Sequence, residues 1–295
     1  MTHAILITAY KNLFQLERLV DYFADGPFLV YIHLDKKGVY DASLLARIHQ
    51  KKHVQLLVQK YRVNWGGVNH LKAYLFLAEK ALETKSLVYF HLITGQDLPI
   101  VSKTQFLQFF NNQPEGKHWD YMTCTKLPHP NWHYNGGIDR LKYFHFYDAF
   151  NAKRHRPFIR NLVKFQKKIG IMRSFPESFP TLYGGSTYWS LTRESLSYVV
   201  TYTLKNPKFL KRFNHTFCAE ELYFQTLLGN SSLKAKILNT NLRYIDWSKG
   251  RGTTPVVLDT RDYDKLVDSK CLFARKFDEQ SHDLFKTIKI NLWRS

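Results

Sequence analysis

Cysteine is scarce in this chain. Its 295 residues include three, Cys124, Cys218 and Cys271, far apart and in no C-x-x-C pair. That spacing argues against a disulfide framework and a thiolate zinc site, and it suits a reducing, cytoplasmic compartment. Acids are scarce too, 24 Asp plus Glu against 43 Lys plus Arg, a formal net charge of +19. Such an excess points to an anionic partner: nucleic acid, an acidic membrane surface or a phosphorylated substrate. Long apolar runs are missing, since nothing approaches the roughly 20 apolar residues of a spanning helix. The run Ala4 to Tyr10 is too short, and lacks the basic flank, for a signal peptide. A soluble protein is expected, or one lying peripherally on the inner face of the membrane. No G-x-G-x-x-G follows the first apolar run, which counts against an NAD-type dehydrogenase, and there is no P-loop. The one literal Asp-x-Asp, Asp262-Tyr263-Asp264, opens a helix near the C-terminus and reads as capping and surface charge.

What is present is core material. The chain is 44% hydrophobic and 16% aromatic, enough for one large α/β domain or two closely packed lobes. Ile5 to Ala9 reads as a buried strand, Leu13 to Phe23 as a helix with an apolar stripe, and Phe28 to Leu34 as a second buried strand. Leu44 to His49 suggests a helix and Val54 to Val58 a third strand. This β-α-β-α-β order predicts a Rossmann-like, mostly parallel sheet, whose ligands sit beyond the carboxyl ends of the strands. Tyr10, Asp35 and the loop Arg62 to Gly67 fall at those ends. Asp35 suits a ribose or base contact, and equally the opening of a turn.

Further along, Val68 to Leu82 reads as a long helix, Leu87 to Thr94 as a buried strand and Thr104 to Phe110 as a short helix. Residues 114–150 are rich in Trp, Tyr, His and Asn without clear periodicity. They fit a functional loop region whose rings stack on sugars, or an irregular aromatic core under a long loop. Residues 149–176 carry eight Lys or Arg and no Asp or Glu, with an apolar stripe at helical spacing. Such a helix can lie on an acidic membrane, or pack its apolar face on the core and leave its charges in water. Tyr183 to Leu191 is a double-glycine turn entering a strand. Residues 218–228 set Glu220 and Glu221 in the first turn of a helix with one buried face. Ala235 to Trp247 reads as a strand; 261–268 and 281–292 read as helices.

Moving a sugar from a nucleotide requires a group to take the acceptor's proton and charge to stabilise the departing diphosphate. Glu221 is a candidate for the first. Lys249, Arg251, Arg275 and Lys276 flank the last strand region and could replace a metal for the second. The ordered set of His33-Leu34-Asp35, Trp65-Gly66-Gly67, Thr94 to Pro99, Gly185-Ser186, Glu220-Glu221, Arg243 to Trp247 and Leu272 to Asp278 resembles the core-2/I-branching β-1,6-N-acetylglucosaminyltransferase family. That family also contains peptide O-xylosyltransferases.

The resemblance implies a GT-A type fold over residues 1–295, with a nucleotide-binding half (1–112) and an acceptor-binding and catalytic half (113–295). It implies inversion, a UDP-sugar donor, no metal or other cofactor, and a glycan or lipid-linked glycan acceptor. Glu221 matches the catalytic base, with Glu220 a structural neighbour. Lys276 matches the diphosphate-binding lysine and Arg251, with Lys249 as rival, its partner. Ala9, Tyr10 and Asp35 match the uridine pocket, and Trp247 an aromatic that supports the acceptor sugar. The animal members' anchor, stem and disulfides are not matched, so a bacterial-type catalytic domain is expected. N-acetylglucosamine in β-1,6 linkage is the expected transfer, with xylose as the alternative. A basic nucleic-acid-binding protein is the rival from another class, although no recognition motif supports it.

Overall fold

The computed structural model describes residues 1–113, 117–174 and 179–293. Its strands are β1 (Thr2–Ala9), β2 (Phe28–Leu34), β3 (Val54–Val58), β4 (Leu87–Thr94), β5 (Asp97–Pro99), β6 (Asp120–Met122), β7 (Thr125–Lys126), β8 (Tyr183–Gly184), β9 (Trp189–Thr192), β10 (Ile237–Leu238), β11 (Arg243–Ile245) and β12 (Phe273–Arg275). Its helices are α1 (Leu13–Tyr22), α2 (Ala42–His49), α3 (Asn69–Leu82), α4 (Lys103–Asn111), α5 (His133–Gly136), α6 (Asp139–Lys142), α7 (Ala152–Lys168), α8 (Arg193–Lys205), α9 (Pro207–Arg212), α10 (Tyr223–Gly229), α11 (Tyr263–Asp268) and α12 (His282–Asn291).

The main sheet has the order β10-β6-β9-β4-β1-β2-β3, and within it β9 alone runs against the others. A parallel sheet covered on both faces needs apolar side chains at consecutive positions, and β1 supplies them. Ile5, Ile7 and Ala9 join one layer with Leu16 of α1, Ile48 of α2, Phe106 of α4 and Ile288 of α12. Ala4 and Leu6 join the opposite layer with Leu71 of α3, Leu196 of α8 and Leu227 of α10. Among the rings of Tyr89, Phe106 and Phe110 lie two imidazoles, with His3 Nδ1 3.0 Å from His91 Nε2 and His91 Nδ1 2.9 Å from Ser190 Oγ. Burial keeps both neutral, lowering His3 to about 3 and His91 well below its ordinary value.

Two sequence expectations need correction. The stretch 235–247 is not one strand. Leu242 takes a left-handed backbone (φ 57), and β10 and β11 belong to different sheets. Nor is 218–228 one amphipathic helix. Ala219–Glu221 is a separate 3-10 turn, Leu222 breaks the helical run at φ −122, and every residue of α10 is buried. The helix serves as a core element on all its faces rather than one.

The sheet fixes where a ligand can bind. The Ala9 carbonyl accepts from Asp35 N at 2.9 Å and the Thr8 carbonyl from Gly95 N at 3.0 Å, tying the exits of β1, β2 and β4 into one edge. A smaller sheet, β11-β12-β5, hooks onto that edge. Phe277 N donates to the Gln96 carbonyl at 2.9 Å, and Gln15 Nε2 donates to the carbonyls of Gly95 (2.8 Å) and Phe277 (3.2 Å).

Candidate active site

The two adjacent carboxylates have different surroundings. Glu220 is 4% exposed; its Oε1 lies 3.2 Å from His70 Nδ1, and Tyr74 Oη lies 2.7 Å from His70 Nε2. Burial keeps the Tyr74 phenol protonated, with Glu220 adding to the effect and Arg275 and Asp97 within electrostatic reach. A protonated phenol donates to Nε2 and leaves Nδ1–H to donate to Glu220, so the acid is held by a polar chain anchored in α3. The Glu221 side chain is 30% exposed, and its Oε2 pairs with Arg140 Nη1. Burial pushes the Glu221 carboxyl above the ordinary glutamate value, Arg140 opposes this, and Glu220 adds to it. A carboxylate of raised basicity with one oxygen held and a partly exposed side chain has the properties of a general base.

Local backbone geometry sets this position. Cys218, ahead of the 3-10 turn, adopts φ 50 and donates from its N–H to the Gly66 carbonyl at 3.0 Å. The Glu221 carbonyl accepts from Gly185 N at 3.0 Å. A Cβ on Gly185 would stand 1.8 Å from the Thr123 carbonyl oxygen, so this contact between two backbones admits only glycine. The Arg140 guanidinium lies over the rings of Trp132 (4.6 Å) and Phe217 (5.3 Å), so aromatic faces hold the cation that holds Glu221. Trp65 stands edge-on to Phe217 and Tyr147. The Cys218 thiol beside them is pushed far up by burial and by the two carboxylates, which keeps it unreactive.

Cations gather where the small sheet meets the strand exits. Arg275 lies over the Tyr188 ring at 4.6 Å and 3.9 Å from Asp97 Oδ2. Asp97 is fully buried and accepts from Thr94 N and Oγ1, both at 2.5 Å. Arg243 stands between the sheets, donating to the Leu92 carbonyl at 2.8 Å, and burial lowers it to about 10. Lys276 Nζ makes no hydrogen bond or ion pair among the described residues. Burial, with Arg275 and Lys11 nearby, lowers its pKa, and Asp278 partly offsets this. A lysine surrounded by cations and lacking a carboxylate partner favours an arriving anion.

The remaining sequence candidates are placed as follows. Ala9 is buried at the end of β1, and Tyr10 is 52% exposed beside it, its hydroxyl donating to Gln96 Oε1 at 3.3 Å. Asp35 is buried at the end of β2; its Oδ1 accepts from the backbone of Lys37 (3.0 Å) and Val63 (3.1 Å), and Lys37 Nζ lies 3.5 Å from Oδ2. Asp35 thus shapes the turn that follows β2 while lying at the strand exit. Trp247 is 63% exposed just after β11. Arg251 is not free: it donates to both oxygens of Asp262 (2.7 and 2.8 Å) and to Asp259 (2.7 Å). These carboxylates raise its pKa further, and Asp259 and Asp262 also form a capping box on the turn Thr260–Asp262. Lys249 is exposed in the same loop. Among the described residues no three His, Cys, Asp or Glu side chains gather as a metal-binding set.

Sequence reading missed Arg140, His70 and Tyr74. Arg140 lies 81 residues from its carboxylate, inside the aperiodic aromatic stretch. The one available signal was chemical: a carboxylate on a largely buried turn needs a cation, and Arg140 sits in a region rich in aromatic rings that can hold one.

The fold and these groups define a class: an α/β protein with an arginine-paired carboxylate and, where the small sheet meets the strand exits, a lysine with no ion pair among the described residues. The particular family follows from comparison. The family model described as Core-2/I-Branching enzyme matches residues 3–266, and the chain belongs to that family, a family of glycosyltransferases; its fold is mixed α/β with a large, mostly parallel sheet. Relatives include xylosyltransferase 2 of Mus musculus, 23% identical over 99% of this chain and 33% of that protein. A xylosyltransferase of Caenorhabditis briggsae is 25% identical over 89% of this chain and 33% of that protein, and one of Ciona intestinalis 23% identical over 93% and 32%. The chain thus spans about a third of the length of the curated relatives it matches. A putative glucose-1-phosphate thymidylyltransferase from Bacillus anthracis superposes with a TM-score of 0.31 at 10% identity, covering 72% of this chain and 84% of that one, too loosely to carry an argument.

Proposed function

We propose that the chain is an inverting, metal-independent glycosyltransferase that moves a sugar from a UDP donor to a hydroxyl of a glycan acceptor. The carrying observation is Glu221: one oxygen on Arg140, its pKa raised by burial, its side chain still partly exposed. Glu221 removes the proton of the acceptor hydroxyl. That oxygen attacks the anomeric carbon as the bond to the diphosphate breaks, and UDP leaves from the opposite face. Lys276 stabilises the leaving diphosphate in place of a metal. Arg251 is the second phosphate ligand if it exchanges the Asp259 contact for phosphate; Lys249 is the alternative. Tyr10 and Asp35 hold the uridine, and Trp247 offers its exposed face to the acceptor sugar.

Either of two sugars fits the reading. N-acetylglucosamine in β-1,6 linkage is what the family resemblance implies, and xylose is favoured by the names of the relatives. A melting-temperature series with UDP-N-acetylglucosamine, UDP-xylose, UDP-glucose and UDP separates them, because a bound donor raises the melting temperature. A rise with one UDP-sugar in the presence of EDTA, followed by transfer under the same conditions, supports the reading. Transfer abolished by EDTA and restored by manganese overturns the metal-free mechanism, and no response to any UDP compound overturns the donor class.

A further inference from the structure

The helix α7 carries more exposed apolar surface than a solvated helix needs. Its inward face is Ala152, Ile159, Val163 and Gln166. Phe158, Phe165 and Ile169 follow at steps of seven and four, which places them on one stripe beside that face. They are 48%, 57% and 49% exposed, and Ile171 and Met172 just beyond the helix are 46% and 53% exposed. The basic side chains occupy the rest of the outer surface, with no Asp or Glu from 149 to 174. Among the described residues only Lys167 of these has a carboxylate partner, Asp139. At the foot of the helix lies a cavity of about 150 Å³ lined by Tyr134, Tyr147, Arg160, Lys164 and Lys167. No helix in the described residues is long and apolar enough to cross a membrane.

We infer that α7 and the segment following it dock on an anionic lipid bilayer, with the Phe158–Phe165–Ile169 stripe entering the interface and the lysines and arginines meeting the headgroups. The pairing of features selects this occupant. A nucleic acid satisfies the charge but gives the exposed Phe and Ile side chains nothing to enter. A second copy would bring two strongly basic faces together. A bilayer bearing anionic lipids takes both at once. Tyr147 and Phe217, in the same aromatic layer as α7, stand behind the Arg140–Glu221 pair. Docking therefore holds at the membrane the layer that backs the Arg140–Glu221 pair, a consequence that rests on the transferase reading and fits a lipid-linked acceptor.

The test is co-sedimentation of the full chain with vesicles of phosphatidylcholine alone or with phosphatidylglycerol added, at low and raised salt and without any donor. Binding is expected on the anionic vesicles only and is weakened by salt. Phe165→Ser with Ile169→Ser is expected to lower partitioning by roughly tenfold, and Lys164→Glu with Lys168→Glu to lower it as well. Melting temperatures and turnover on a soluble acceptor stay unchanged, because these side chains lie outside the core and the cleft. Three results overturn the inference: no binding to anionic vesicles, binding unaffected by the Phe165→Ser, Ile169→Ser variant, or a concentration-dependent dimer that the same variant abolishes. Because no donor is present, failure here is distinct from failure of the transferase reading.

Discussion

Substituting Gly185 by alanine tests how the base is positioned without touching any charged group. The added Cβ would meet the Thr123 carbonyl oxygen at 1.8 Å and its carbon at 2.6 Å, both backbone atoms. Ordinary carbon contacts begin near 3.5 Å, so one backbone has to move by roughly 1.5 Å. A shift of that size breaks the 3.0 Å hydrogen bond from Gly185 N to the Glu221 carbonyl. Overpacking of this kind costs about 1–3 kcal/mol of stability. A misplacement of about 1 Å at a catalytic group costs on the order of a hundredfold in rate. Expected, then, is a variant that still folds, melts several degrees lower and turns over about a hundredfold more slowly, with donor affinity little changed. Turnover of the folded variant within twofold of wild type would refute the claim that this backbone contact positions Glu221.

Other expectations follow from the same geometry. Arg140→Gln removes the group that holds the Glu221 pKa down against burial, so the acidic limb of the kcat/KM profile should move to higher pH; an unmoved limb would separate Arg140 from the base. Lys276→Met should weaken UDP binding in a thermal-shift titration while leaving the fold intact, and unaltered UDP affinity would remove Lys276 from the diphosphate site. The buried His3 and His91 stay neutral in the native state, His3 down to about 3. Below the ordinary imidazole value the unfolded chain takes up protons that the native chain refuses, so these groups' stabilisation is present above about pH 6.5 and lost as pH falls. Urea titrations across that range should show the decline, and His91→Phe should flatten it; an equally steep decline in the variant would point elsewhere.

The β-α-β-α-β succession of the first 60 residues and the burial of β1 were legible because periodicity and burial are local properties of sequence. The exits of β1 and β2, with Tyr10 and Asp35, followed from that order. What failed was whatever depended on single backbone angles or distant contacts. The left-handed turn at the non-glycine Leu242 splits an apolar stretch into strands of two sheets, and no composition signal marks it. The break at Leu222 was hidden because α10, buried on every side, still shows apolar residues at helical spacing. Arg140 reaches Glu221 across the fold through a stack of rings from separate loops. Arg251 was legible as a cation near the last strand, while its use by Asp259 and Asp262 depended on how the loop folds back. The basic stretch 149–176 was legible as an amphipathic helix, and α7 forms it over Ala152–Lys168; residues 175 and 176 lie outside the described residues.

The central claim is that one of two neighbouring acids is the base. Glu221→Gln and Glu220→Gln should be compared for single-turnover transfer from the UDP-sugar identified by melting-temperature shift, with donor affinity measured alongside. Loss of general base catalysis costs about 10²–10⁴ in rate, so Glu221→Gln should fall by that factor with donor binding preserved. Glu220→Gln should mainly lower the melting temperature, since Glu220 anchors to His70 inside the fold. Near-full turnover in Glu221→Gln, with the loss appearing in Glu220→Gln instead, would contradict the assignment.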